Sequence, residues 1–248
     1  MFEPKAQNPA LAALLIFVAT AFIAATTLLA KALGTAALGP PLSPFQISHG
    51  RFLFAFVTIL LAVAAMRPTL RRPHFGLHIG RTVFGWGGVT LMFASVAYIP
   101  MADATAISFL NPVFAMVLAI PLLKERVGPW RWGAAAIALI GALILLRPTP
   151  DSFQPAALLA LSAAAIIGME LIFIKKLSGR ESPLQIRAEA SFVAPFSYAT
   201  LIFAALYDYA GFGLIPYAIS LTGAGIILGG ALLLAWREGR NKALKSEV

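Results

Sequence analysis

The sequence predicts an all-α polytopic membrane protein of eight transmembrane helices, with the N- and C-termini both cytoplasmic. Three observations predict it. Of the 248 residues, 60% are apolar and only 12% are charged, where a soluble domain carries roughly a quarter charged. A folded soluble domain still needs a polar skin, so this surplus has no place in water. The apolar residues also fall in runs of about 20, the length one helix needs to cross a bilayer. Finally, lysine and arginine gather on alternate connections.

Polar, proline and glycine breaks set the runs at about 10–33, 44–66, 77–99, 103–123, 130–147, 156–176, 187–207 and 213–236. The breaks include Gly39-Pro40-Pro41, Arg67-Pro68, Ile99-Pro100, Lys124-Glu125-Arg126, Arg147-Pro148 and Asp208-Tyr209. Ala30-Lys31-Ala32 has the shape of a signal-peptide cleavage site. The run before it is longer than an ordinary signal core and its flank holds only Lys5, so the first run is read as a retained helix. Strands are excluded by run length, since outer-membrane barrels use alternating segments of about ten residues.

With the N-terminus inside, 16 of the 19 cationic residues face the cytoplasm, from Lys5 through Arg67, Arg81, Lys124 and Lys175 to Lys245. Only Lys31 and Arg147 fall outside, and Arg51 lies within a span. The net charge of +9 is thus cytoplasmic loop charge, and no nucleic-acid partner is expected. The absence of cysteine excludes disulfides and thiolate metal sites.

Two segments of the chain look alike. Phe109-Leu110-Asn111-Pro112-Val113-Phe114 resembles Phe192-Val193-Ala194-Pro195-Phe196-Ser197, and Gly141-Ala142-Leu143-Ile144-Leu145 resembles Gly230-Ala231-Leu232-Leu233-Leu234. The stretch from Phe93 to Ile107, with Tyr98, Pro100, Ala102, Ala104 and Ala106, resembles a motif of EamA-type carriers of the drug/metabolite transporter superfamily. Lys124-Glu125-Arg126-Val127-Gly128-Pro129, Arg51-Phe52 and Ala194-Pro195-Phe196-Ser197-Tyr198 are similar to that family too. The resemblance implies two inverted five-helix repeats. Here it divides the chain into a first repeat over 1–153 and a shortened three-helix second repeat over 154–248. Arg187-Ala188-Glu189-Ala190-Ser191 resembles the start of the family's ninth helix and follows Ile186 directly. A helical hairpin of roughly 45 residues is thus missing, and the inverted repeat is incomplete.

Charged and polar residues at membrane depth supply the candidate site. Arg51, about two turns into the second span, is either a fixed cation for a carboxylate-bearing substrate or a snorkelling structural residue. Glu170 in the sixth span is either a proton-coupling carboxylate or one that reaches the interface near Lys175 and Lys176. Trp86 and Phe93 are seven residues apart on one helical face with Thr90 between them, and they either line an aromatic cavity or pack. Asn111, beside the backbone hydrogen bond that Pro112 removes, and Ser197 and Tyr198 after Pro195 either line a pore or hold helices together. Asp103 is expected to cap the fourth helix, and Glu125 and Arg126 to form a loop pair.

The three histidines, His49, His74 and His78, form no zinc motif and no paired intramembrane acids accompany them, so neither a catalytic nor a metal site is expected. No phosphate-binding loop is present, and no cofactor is expected. The resemblance implies a multi-pass secondary transporter of a small organic metabolite, working by alternating access in a bacterial inner membrane. A degenerate relative that folds without transporting is the alternative. Beyond substrate and lipid, a second copy of the chain could rebuild the missing wall as a homodimer.

Overall fold

The computed structural model describes residues 9–66, 74–146, 154–178 and 199–246, and these are helical with short connections. Nine helices occur among the described residues: α1 (Pro9–Gly34), α2 (Pro44–Met66), α3 (Phe75–Val96), α4 (Met101–Ser108), α5 (Asn111–Leu123), α6 (Pro129–Leu146), α7 (Pro155–Ser178), α8 (Ala199–Phe212) and α9 (Ala218–Ser246). Five stretches are long and apolar enough to cross a membrane: Leu14–Gly34, Pro44–Leu61, Met101–Leu123, Pro129–Leu146 and Pro155–Leu177. Ala199–Phe212 and Ala218–Gly230 are shorter apolar helices. Large apolar side chains such as Phe22, Phe54, Leu61 and Ile202 stand exposed around the outside, a surface suited to lipid and far too apolar for water.

Local chemistry sets the ends. Pro44, Pro129 and Pro155 each stand first in a helix, where the missing N–H costs nothing. At α2, Ser43 and Gln46 cap one another, the Ser43 N–H donating to Gln46 Oε1 at 2.9 Å and the Gln46 N–H to Ser43 Oγ at 3.3 Å. Pro112 splits the expected fourth span into α4 and α5. It has no N–H for the Ser108 carbonyl, and the chain turns at Phe109-Leu110 before resuming. Ser108 Oγ donates instead to the Thr105 carbonyl at 2.7 Å.

Helix α4 sits at the centre. Met101, Ala104, Ala106, Ile107 and Leu110 are wholly buried, packed against small residues of α6 and α7 such as Ala135, Ala138, Ala160 and Ala164. Helices α6 and α9 run antiparallel and touch through glycine. A Cβ on Gly141 would meet the Gly223 carbonyl and the Ile227 N–H at 2.7 Å, and one on Gly230 would meet the Ala134 carbonyl and the Ala138 N–H at 2.8 Å. Such close approach is how apolar helices gain contact inside a bilayer.

The remaining contacts fix direction. Helix α7 runs antiparallel to α3, with Ile167 beside Gly88 and Glu170 beside Gly85. It runs parallel to α5, from Gly168 at Asn111 and Phe114 to Lys175 at Glu125. Helix α8 runs parallel to α1, from Phe203 at Phe17 to Asp208 at Lys31.

Three expectations need correction. Asp208 does not break the chain between helices: it lies inside α8, 1% exposed, and its Oδ1 is 2.5 Å from Lys31 Nζ. Lys31 is correspondingly buried inside α1, not free at the surface. The Asp208 Oδ2 also accepts the Met101 N–H at 2.5 Å, so one carboxylate ties α1 and the start of α4 to α8. Asp103 does not cap α4; its Oδ2 accepts from Ser220 Oγ of α9 at 3.1 Å. Glu125 pairs with Lys175, Oε1 to Nζ 2.5 Å, across the α5–α7 boundary and not along its own loop.

Candidate functional site

The candidate site forms where α2, α3 and α7 meet. Ser48 and Thr90 make the crossing of α2 on α3, their hydroxyl oxygens 2.7 Å apart and Ser48 wholly buried. Each hydroxyl also faces a carbonyl of its own helix, Phe45 for Ser48 and Trp86 for Thr90. Bonding to a neighbouring carbonyl lets a hydroxyl enter an apolar helix without losing a partner. Around this point the helical spacing of α3 does what it predicts. The Trp86 ring meets the edge of Phe45 at 4.9 Å, and the Phe93 ring, nearly buried, lies 5.9 Å from the Arg51 guanidinium. Phe52 lies 5.7 Å from the same group. Both distances suit a cation held over aromatic faces.

Glu170 enters from α7. Gly85 on α3 leaves the space for it: a Cβ there would stand 2.8 Å from the Glu170 carboxyl carbon. The carboxylate faces a cation: Arg81 Nε is 3.7 Å from Oε1. Phe84 and Phe173 stack at 5.5 Å beside this group. The result is a carboxylate paired with Arg81 on the α3–α7 face and a guanidinium, Arg51, over aromatic rings on the α2–α3 face, within helices whose outer surfaces are apolar. Such an arrangement can hold an organic solute with both a flat ring and charged groups: rings stack on the aromatic faces, and charges exchange with the ion pairs.

Four of the expected site residues, Arg51, Trp86, Thr90 and Phe93, therefore gather on the α2–α3 face, and Glu170 joins them across Gly85. Asn111 lies elsewhere. It is the first residue of α5, half-buried, and its carbonyl sits 3.0 Å from where a Cβ on Gly168 would be. Ser197 and Tyr198 lie outside the described residues. Sequence reasoning missed Arg81 as the partner of Glu170, having placed it among loop cations. The available signal was spacing: Arg81 and Gly85 are one turn apart and so share a face.

Comparison with known proteins settles the family. The EamA-like transporter family matches residues 10–147. The chain belongs to the EamA-like transporter family. It is 35% identical over 136 residues to a riboflavin transporter of Vibrio cholerae, covering 54% of this chain and 46% of that protein. It is 31% identical over 146 residues to an S-adenosylmethionine uptake transporter of Rickettsia bellii, covering 58% of this chain and 50% of that one. The chain thus spans about half the length of the curated relatives it matches in this way. A third alignment, with an S-adenosylmethionine uptake transporter of Rickettsia felis, is 24% identical over 261 positions and covers 85% of this chain and 89% of that protein. Since 85% of 248 residues is about 211, about 50 of those 261 positions face no residue here. A solved crystal structure, 19% identical, has a TM-score of 0.50 and covers 91% of this chain and 97% of its own. At that identity the likeness is one of fold alone.

Proposed function

We propose that the chain is a multi-pass secondary carrier of a bacterial inner membrane, moving a small organic metabolite by alternating access between two unequal repeats. Residues 1–153 form the first repeat and 154–248 the second. Eight passes with both termini cytoplasmic draw support from α1, α3, α6 and α8 running one way while α4–α5, α7 and α9 run the other; the contacts of α2 add none, because Phe45, Ser48 and Arg51 meet Trp86, Thr90 and Phe93 in the same order along both helices. The reciprocal glycine contacts support the repeat. Gly141 meets the residues seven and three before Gly230, and Gly230 meets those seven and three before Gly141. The roughly 50 positions without counterpart in the Rickettsia felis alignment correspond in length to two helices and a turn, which supports a missing hairpin.

One observation carries the functional reading: within the apolar runs of α2, α3 and α7, Arg51 stands over the Phe52 and Phe93 rings, and Glu170 meets the half-exposed Arg81 beside Gly85. Charge at that depth is costly and is retained for a task. The task proposed is recognition of a small metabolite that joins a flat ring system to polar or charged groups, as riboflavin and S-adenosylmethionine each do. Arg51 takes an anionic group, Glu170 a cationic one, and Trp86, Thr90 and Phe93 the ring. Asn111, Ser197 and Tyr198 are proposed to complete the pathway from the α5 and α8 sides.

A thermal-shift measurement on the purified protein tests this, using riboflavin, S-adenosylmethionine and a panel of related metabolites. A ligand at a hundred times its dissociation constant should raise the melting temperature by roughly 5–10 °C. Arg51→Ala should abolish the shift for anionic ligands, and Glu170→Gln should weaken it for cationic ones. A folded protein that no metabolite stabilises counts against the reading.

A further inference from the structure

Two ion pairs outside the site each join a lysine to a carboxylate and lie at opposite ends of the bundle. At one end Lys31, near the close of α1, meets Asp208, near the close of α8. At the other, Lys175, near the close of α7, meets Glu125 just past α5. Both lysine-to-carboxylate distances are 2.5 Å. Each pair joins one repeat to the other, since α1 and α5 belong to the first and α7 and α8 to the second.

The sequence relates the partners. Glu125 follows Pro112 by 13 residues, and Asp208 follows Pro195 by 13. Those two prolines are the matching points of the two similar segments. Lys31 stands three residues before the end of α1, and Lys175 three before the end of α7. Helices α1 and α8 run parallel towards the first pair, and α5 and α7 run parallel towards the second. The same joint therefore occurs twice, turned end for end.

The two copies differ in burial. Lys31 and Asp208 side chains are 6% and 1% exposed, the Met101 N–H holds the second carboxylate oxygen, and the Phe212 ring lies 4.8 Å from the ammonium. Lys175 and Glu125 are 55% and 33% exposed. A solvated pair exchanges its partner for water with little loss, whereas parting a buried pair strands two charges.

We propose that Lys31–Asp208 and Lys175–Glu125 are equivalent latches between the repeats, and that the transport cycle alternates which end is released. This rests on the reading of the chain as a two-repeat carrier. In the state described here the extracytoplasmic latch is sealed, and the cytoplasmic latch is the easier of the two to open.

The chain contains no cysteine, so single cysteines report access directly. Ala204→Cys, wholly buried one turn before Asp208, and Ile172→Cys, 3% exposed and one turn before Lys175, serve as probes. Each is placed in the full chain in membrane vesicles and labelled from either side with a membrane-impermeant maleimide. Asp208→Asn should speed labelling of Ala204→Cys by about tenfold or more with no rise at Ile172→Cys, and Glu125→Gln should speed labelling of Ile172→Cys by about two- to fivefold with no rise at Ala204→Cys. Asp208→Glu, which keeps the charge, should restore protection. No change at the released end, a rise at both ends together, or failure of Asp208→Glu to protect overturns the proposal. The exposed Glu125 gives an arm that does not depend on tolerance of a buried change. Labelling needs no substrate, so it answers even for a chain that binds none of the tested metabolites.

Discussion

Two contacts of identical chemistry, Lys31–Asp208 and Lys175–Glu125, differ only in what surrounds them, and their energetics diverge accordingly. Removing the Asp208 charge leaves the Lys31 ammonium buried among apolar helices and releases the Met101 N–H. Breaking a buried pair from one side costs about 3–5 kcal/mol. Glu125→Gln acts on a pair open to solvent, where the loss is screened to about 1 kcal/mol or less. Thermal unfolding of the two variants in detergent should therefore show a large fall for Asp208→Asn and almost none for Glu125→Gln. Equal falls would mean that burial does not set their worth. Neither pair was legible as a pair. Lys31 and Asp208 are 177 residues apart, and each stands at the edge of an apolar run, where a charge reads as punctuation. Trp86, Thr90 and Phe93 were legible as one face, because residues three, four and seven apart on a helix share it; that Arg51 of α2 lies against that face was not, since no spacing relates the two helices.

At the scale of elements, the edges of the runs were readable because prolines and a serine–glutamine cap mark them chemically. Helices α1, α2, α6 and α7 begin and end within a few residues of the expected spans. The split of α4 from α5 was foreshadowed by Pro112, whose missing donor has a fixed local effect. Which faces meet was not readable, since an alanine- and leucine-rich helix presents similar surfaces all round. Glycine decides it for α6 and α9. A methyl group at Gly141 or Gly230 would stand 2.7–2.8 Å from partner backbone, so the helices must part. Gly141→Ala and Gly230→Ala should each destabilise by about 1–3 kcal/mol. Gly225→Ala should be nearly neutral, because its Cβ would meet nothing within 4 Å. The matched behaviour of Gly141 and Gly230 is the diagnostic part. Differential scanning of the three variants checks it, and a neutral Gly141→Ala would show that the α6–α9 contact is looser than its geometry.

At the scale of the whole molecule, the distribution of charge and the directions of the helices give one answer by separate routes. The connections after α1, α3 and α8 lie at the end that holds Lys31 and Asp208, and among the described residues that end carries no cation beyond the buried Lys31. The opposite end carries Arg81, Lys124, Arg126, Arg131, Lys175 and Lys176. Cationic loops stay on the cytoplasmic side because moving them across costs energy against both the bilayer and the membrane potential. The packing directions rest on glycine contacts and ring pairs within the apolar layer, with the Lys31–Asp208 and Lys175–Glu125 pairs marking the ends of two helix pairs. The packing directions put the α1–α2 and α8–α9 connections at one end and the α5–α6 connection at the other, and the proposed orientation makes the cation-rich α5–α6 end cytoplasmic. In the cysteine-free chain, Ala37→Cys and Leu214→Cys should react with an impermeant maleimide on intact cells, while Gly128→Cys should react only after permeabilisation. Labelling of Gly128→Cys alone would invert the orientation and exchange the sides of the two latches. Labelling of all three from one side would require an even number of passes between Ala37 and Gly128, where the proposal has three, and would remove the two-ended design on which alternating access depends.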